Sequence, residues 1–224
     1  MKSQKNMYSL HDLPDLIDIP PHESWTLLDE NNNTHHTTIV LSEWAQLYLF
    51  SARTQGNLKL HIIHRGAQSH SKICCWFHTS FDRKIECIVK STFESSDATS
   101  EIHILSLAGS SGEILLDSAI DIQEWVTHII GRLKERHIFL GDTGKIRWIP
   151  ALIVHSDDIE ASHALSIDRI SDEELFYIRS RGFNRNDAVS VILDWAISDI
   201  FDGLKRLDEM QYEKYRNNLI WMVV

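Results

Sequence analysis

The chain has 224 residues, 43% of them hydrophobic and 24% charged, enough to bury a sizeable core in one large domain or two small ones. With 32 acidic against 22 basic residues the net charge is −10, which argues against a phosphate-neutralising nucleic-acid surface or attraction to an anionic membrane. Apolar runs such as "LIWMVV" at residues 219–224 fall far short of the roughly 20 residues a membrane-spanning helix needs. Residues 1–24 are polar, contain three of the four prolines (Pro14, Pro20 and Pro21) and read as an extended or loosely docked N-terminal arm. They contain no apolar stretch of the kind a secretory signal carries. The three cysteines (Cys74, Cys75 and Cys87) form no CxxC pair and no disulfide framework, so the chain is expected to be cytoplasmic with reduced thiols.

Residues 25–155 read as a β-domain. Short segments rich in Ile, Val, Leu and aromatics follow one another: "TTIVLSEW", "AQLYLFSA", "LKLHIIH", "KICCWFHTS", "IECIVKSTF", "EIHILSLAG", "EILLDSAIDI", "HIFLG" and "IRWIPALIVH". Clusters such as "SSDATS", "AGSSGE" and "GDTGK" supply turns between them. This spacing fits a sandwich, a barrel or a β-helix, and does not by itself select among them. In "KICCWF" an apolar strand makes core packing the expected role of Cys74 and Cys75.

Residues 156–224 read as a small helical domain. Ser171 and Glu174 have the spacing of a capping box, opening a helix over "DEELFYIRSR" that Gly182 can end in a left-handed conformation. Asn184 caps a second helix, to about Leu204, with Ala188, Val189, Ile192, Leu193, Ala196, Ile197, Ile200, Phe201 and Leu204 in an apolar stripe. Asp194, Asp199 and Asp202 lie mainly on its other side, and Met210–Val224 forms a third helix or a tail.

The 13 histidines raise the question of metal, but no HExxH or comparable ligand spacing is present. "GDTGK" lacks the spacing of a phosphate-binding loop, and there is no nucleophile elbow. Asp157 and Asp158 could form an acid–base pair in principle, yet neighbours on an extended chain point to opposite sides. His163, between Ser162 and Ala164, has small neighbours that leave an imidazole accessible.

The stretch "IRWIPALIVHSDDIEASHALSIDRISDEELFYIRSRGF" and the helix after it resemble the SufB/SufD family of the SUF iron–sulfur cluster assembly machinery. The resemblance rests on Pro150, the apolar strand 151–154, Asp157-Asp158-Ile159, the Ser162-His163 pair, the helix 173–177, Ser180-Arg181-Gly182 and the helix from Asn184. It covers roughly 60 residues, fits residues 70–145 only as strands at plausible spacing, and does not extend to the first 70. Ala164 stands where SufB-like members carry an acidic residue, which favours the SufD-like side. The chain is short for the family.

The resemblance implies a shortened right-handed parallel β-helix followed by a C-terminal helical domain. It implies a component that is not an enzyme, pairs with a SufB-like protein or a second copy of this chain, and docks a SufC-type ABC ATPase. Neither nucleic acid nor membrane is an expected partner. No resident cofactor is implied beyond a transient iron–sulfur cluster shared with a partner, with His163 as its ligand from this chain. The partner-binding residues expected are Asp157, Asp158, Ser162, His163, Phe176, Tyr177, Arg179, Arg181, Asp194, Asp199 and Asp202. Two other readings stay open: a homodimeric structural β-helix without a cluster role, and a metal-dependent β-fold enzyme.

Overall fold

A computed structural model describes residues 6–30 and 32–223, the last three by their backbone alone. In chain order the strands are β1 (Asn6–Ser9), β2 (Leu16–Ile19), β3 (Ser24–Asp29), β4 (His35–Leu41), β5 (Gln46–Arg53), β6 (Leu58–His64) and β7 (His70–Thr79). They continue with β8 (Lys84–Phe93), β9 (Thr99–Ala108), β10 (Glu113–Ile122), β11 (Ile129–Phe139), β12 (Lys145–Val154) and β13 (Ile159–Arg169). Three helices follow: α1 (Asp172–Arg179), α2 (Arg185–Leu207) and α3 (Glu209–Val223).

The odd-numbered strands form one sheet and the even-numbered strands the other, each strand hydrogen-bonded to those two before and two after it. The pairings are parallel, as in β7 with β9 (Ile73 beside Ile102) and β8 with β10 (Cys87 beside Leu116). The chain thus passes from sheet to sheet at every strand, which is the course of a parallel β-helix and not of an antiparallel sandwich. Alternation explains the packing: in β8, Ile85, Cys87, Val89 and Phe93 are buried between the sheets while Lys84 and Glu86 face water.

Corners between even and odd strands repeat one device. His22, Trp44, Asp97 and His128 adopt positive φ. In each the amide then donates to a carbonyl of the following turn of the coil: His22 to Glu43, Trp44 to Ala67, Asp97 to Thr127 and His128 to Asp158. Gly66 has no freedom to be anything larger, since a Cβ there would lie 2.0 Å from the Glu43 nitrogen.

Residues 1–5 of the expected extended or loosely docked arm lie outside the described residues, and residues 6–24 are part of the first coil. β1 pairs with β3 and β2 with β4, and Leu10, Ile17 and Ile19 are buried as the end of the core. The prolines fall in the connections, where no ladder hydrogen bond is lost. The helical segment expected from residue 156 begins instead at Asp172, because residues 159–169 complete one more strand, β13. The helix signals are otherwise realised: Ser171 and Glu174 form the reciprocal capping box, Gly182 has φ +98°, and Asn184 caps α2 through the Asp187 amide.

The middle strands of the odd-numbered sheet, β5 to β11, are buried on both faces. Outward-pointing Phe50, Cys74, Trp76, Leu105, Leu107 and Ile138 meet Leu193, Ile197, Ile200, Phe201 and Leu204 of α2 and Tyr212, Tyr215 and Leu219 of α3. Two-sided burial is why this sheet contains the unbroken run "ICCWF". Cys75 and Cys87 pack between the sheets and Cys74 beneath the helices. Burial pushes the Cys74 thiol up to about 12 and raises Cys75 and Cys87 as well, so all three are inert thiols at neutral pH.

Phe201→Ala removes the ring that joins the helical layer to Phe50 and Tyr215, with a centroid separation of 6.1 Å to the first. It is expected to lower unfolding stability by about 3–5 kcal/mol in urea melts. Acid acts through the core histidines. His64 is fully buried between the Ser69 and Ser71 hydroxyls, 2.9 Å from each, and burial holds its pKa down at about 3; His78 is held at about 4. The unfolded chain takes up protons below about pH 6.5 that these folded imidazoles refuse, at about 1.4 kcal/mol for each unit of pKa difference. The urea midpoint should therefore fall steadily from pH 6.5 to about 4, and fall less in His64→Gln.

Candidate functional site

The two ends of the β-helix are unlike. At the C-terminal end β12 and β13 each have one hydrogen-bonded neighbour, so their outer edges present unpaired backbone amides and carbonyls. Large apolar side chains are exposed along them: Ile149 (67% accessible), Leu152, Ile153 and Val154 on β12, Leu165 and Ile167 on β13. An open cleft of about 720 Å³ on the even-numbered sheet, lined by Ile88, Leu115, Trp148 and Ile149 among others, runs into this end.

His163 sits on that edge. On β13 it is the register partner of Leu133 and shares a strand face with Ile159 and Ala161, which pack against the core. Its Nε2 is 2.9 Å from Oε2 of Glu135, on β11. The other carboxylate oxygen, Oε1, accepts a hydrogen bond of 2.8 Å from the Ser118 hydroxyl on β10. The Glu135 side chain is wholly buried, whereas 26% of the His163 side chain is accessible. A buried carboxylate thus spans the interior from the even-numbered sheet to the exposed histidine. Two residues along β11, His137 is buried against the Trp148 ring, 5.1 Å between centroids, and neither ring nitrogen has a hydrogen-bond partner among the described residues. Burial lowers its pKa, so it is a neutral imidazole in the interior.

The other expected residues are dispersed. Ser162 is exposed on the opposite face of β13. Asp157 and Asp158 lie in the β12–β13 corner. There Oδ2 of Asp158 is 3.2 Å from Nε2 of His128, whose Nδ1 is 3.1 Å from Asp97, so that pair belongs to the column of stacked corners. Asp194 is bound by Arg216 of α3, with a 2.7 Å contact, and Asp199 by Lys134 of β11 at 3.0 Å. Both fix the helical layer in place. Asp202 pairs with Arg206 one turn on.

Phe176 (73% accessible), Tyr177, Arg179 and Arg181 are exposed on and just after α1, with the Arg181 guanidinium 4.4 Å above the Tyr177 ring. Trp195 (74% accessible), Val191, Phe183 and Met210 are exposed on the same helical layer and escaped the sequence reading. A signal existed, since Val191 and Trp195 are spaced i, i+4 outside the apolar stripe. The exposed residues of β12 and β13 had no such signal, because an edge strand and a covered strand can have the same composition.

Among the described residues no group of three or more His, Cys, Asp or Glu side chains is arranged to hold a metal ion. No helix among them is long and apolar enough to cross a membrane.

The family described as "SUF system FeS cluster assembly, SufBD core domain" matches residues 25–194. The iron–sulfur cluster assembly protein SufD of Escherichia coli is 25% identical over 100 residues, which are 45% of this chain and 24% of that protein. An iron–sulfur cluster assembly SufBD family protein of Archaeoglobus fulgidus is 36% identical over 63 residues, 28% of this chain and 17% of the relative. Protein ABCI7, chloroplastic, of Arabidopsis thaliana is 18% identical over 182 residues, 81% of this chain and 37% of the relative. The matched stretches thus span well under half the length of these relatives.

The Glu135–His163 contact makes a prediction about stability. His163→Ala leaves a buried carboxylate with Ser118 as its one described donor and is expected to cost about 3 kcal/mol in urea melts at neutral pH. His163→Gln, whose amide can still donate, should cost about 1 kcal/mol.

Proposed function

The chain belongs to the SufBD family, and on that premise we propose that it is a SufD-like, non-catalytic component of iron–sulfur cluster assembly. The observation that carries this reading is the open C-terminal end of the β-helix. Two strands there, each unpaired along its outer edge, have exposed apolar side chains, and one of them carries an accessible histidine.

An exposed, long and apolar sheet edge is a template for strand pairing and, left uncovered, for aggregation. A partner that continues both sheets satisfies the free backbone groups and buries Ile149, Leu165 and Ile167 in one step. A SufB-like protein is the occupant proposed for this edge, with the SufD relative supporting that side of the family. Ala164 after His163 agrees with it.

The cluster is cargo, and His163 is the proposed ligand from this chain. A neutral imidazole is a competent iron ligand, and in place of a thiolate it changes the charge and potential of a cluster. The described residues of this chain supply no full ligand set, so the remaining ligands would come from across the paired edge. The three thiols are buried away from solvent, which suits them to packing.

The second proposed surface is the outside of α1 and α2. Phe176, Tyr177, Val191 and Trp195 form an exposed apolar set with Arg179 and Arg181 beside it, a composition typical of the core of a protein–protein contact. A SufC-type ABC ATPase is its proposed occupant, and the cytoplasm the proposed compartment.

Co-expression with a SufB-like protein and a SufC-type ATPase, followed by native mass measurement, tests both surfaces. A stable ternary complex is expected. Ile149→Glu combined with Leu165→Glu should abolish association with the SufB-like protein and leave the ATPase bound. Trp195→Glu should reduce ATPase binding at least tenfold and leave the pairing intact. A homodimer that ignores both proteins would replace this reading with that of a structural β-helix paired with itself.

A further inference from the structure

Glu135 has no role in the reading above, yet a carboxylate with no solvent access requires one: an ionised carboxyl is costly to bury unless its oxygens are satisfied. Here both oxygens act as acceptors. Oε1 takes the Ser118 hydroxyl proton at 2.8 Å, and Oε2 faces the His163 ring at 2.9 Å. An ionised carboxylate only accepts, so the nitrogen facing it must carry the hydrogen. That nitrogen is Nε2. Nδ1 of His163 makes no hydrogen bond to any described residue.

We propose that Glu135 is a positioning residue: it holds His163 in the Nε2–H tautomer and so presents Nδ1 as the nitrogen that binds iron. The inference rests on the reading of His163 as a ligand and adds which ring nitrogen is used and what selects it. The residue sits where such a device has to sit. Glu135 is on β11, covered on both edges by β9 and β13, while His163 is on the free edge strand. The rigid, buried member therefore orients the exposed one. Ser118 reaches across from the other sheet and fixes the carboxylate in turn, so the chain Ser118–Glu135–His163 runs from the interior to the edge. Histidine ligands commonly donate their second ring nitrogen to a carboxylate, which sets the tautomer and increases ligand basicity; loss of that partner typically costs 10–100-fold in metal affinity.

A purely structural pair would tie β11 to β13 with no preference for a tautomer once the carboxylate became an amide. Glu135→Gln separates the two roles. Glutamine is of the same size and can keep the Ser118 contact, but its amide can either accept from Nε2–H or donate to a bare Nε2, so the tautomer is no longer imposed. Two readouts are taken on the full chain and its complex with a SufB-like protein, at about pH 8. One is the ¹⁵N chemical shift of each His163 ring nitrogen in the metal-free chain. The other is iron retained by the complex after incubation with ferrous iron and sulfide. His163→Gln is the reference that keeps a donor to Glu135 and lacks the imidazole.

The native chain is expected to show Nε2–H almost exclusively, and Glu135→Gln a mixture of both tautomers. Its complex should lose iron 10–100-fold more readily, approaching His163→Gln, with the melting temperature of the free chain little changed. Ser118→Ala, which loosens the carboxylate without removing it, should keep the Nε2–H tautomer and lose iron more readily than the native chain but less than Glu135→Gln, and its iron retention serves if Glu135→Gln does not fold. An unaltered tautomer and unaltered iron retention in the folded Glu135 variant, with iron lost from His163→Gln, would overturn the positioning role and leave His163 as a ligand. Iron retained by His163→Gln as by the native chain would overturn the ligand reading itself.

Discussion

Each strand of a parallel coil takes its hydrogen bonds from the strands two before and two after it, and the coil can satisfy every strand except those at its ends. The two ends of this molecule meet that constraint differently. At the N-terminal end the strands are short, four residues each, and Leu10, Ile17 and Ile19 close the core beneath them. At the C-terminal end the strands are 10 and 11 residues long, with no further strand among the described residues paired to their outer edges and with apolar side chains facing water. Short edges are a common protection against unwanted pairing, and long apolar ones invite it.

The helices answer a different demand. A sheet whose outward side chains include Phe50, Trp76 and Leu105 needs cover on its outer face, and α2 and α3 supply it. The ion pairs Lys134–Asp199 and Arg216–Asp194 fix that cover to the sheet and its two helices to each other. Once α2 has buried its stripe, Val191 and Trp195 are left pointing away from the body. The exposed helix face and the exposed strand edge are thus separate surfaces, one on the helical layer and one at the end of the coil.

Three of the charged or ionisable groups in the interior are held by several partners each. Arg53 and Asp29 form a bidentate pair, at 2.7 and 2.9 Å, with Ser51 and the Asn33 carbonyl completing it. His64 is fixed by two serine hydroxyls. Glu135 differs in that one of its partners reaches the surface. A fully enclosed pair contributes to specifying the fold; a buried carboxylate whose partner is an accessible imidazole at an unpaired edge also sets the chemistry that imidazole shows to whatever covers it.

What could be read from the sequence follows from range. The capping box at Ser171, the stop at Gly182, the cap at Asn184 and the apolar stripe of α2 are interactions within four residues, and each was legible and is present. The ordered motif from Pro150 to Gly182 carried the family. Strands that bury alternate apolar residues, such as Leu58–His64 and Glu113–Ile122, were legible in full. Residues 129–136 of β11 were not, because Glu135 occupies an inward position where the pattern requires an apolar residue, nor was β13, whose inward positions include Ala161 and His163. The same substitutions that hid these strands built the site. By itself the sequence determined where α1 and α2 begin, the β-rich body and the family. Only the tertiary structure decided that His163 faces Glu135, 28 residues before it in the chain, and that both stand at the open end, because contact there is set by the length of one turn of the coil and by which strand is left without a neighbour.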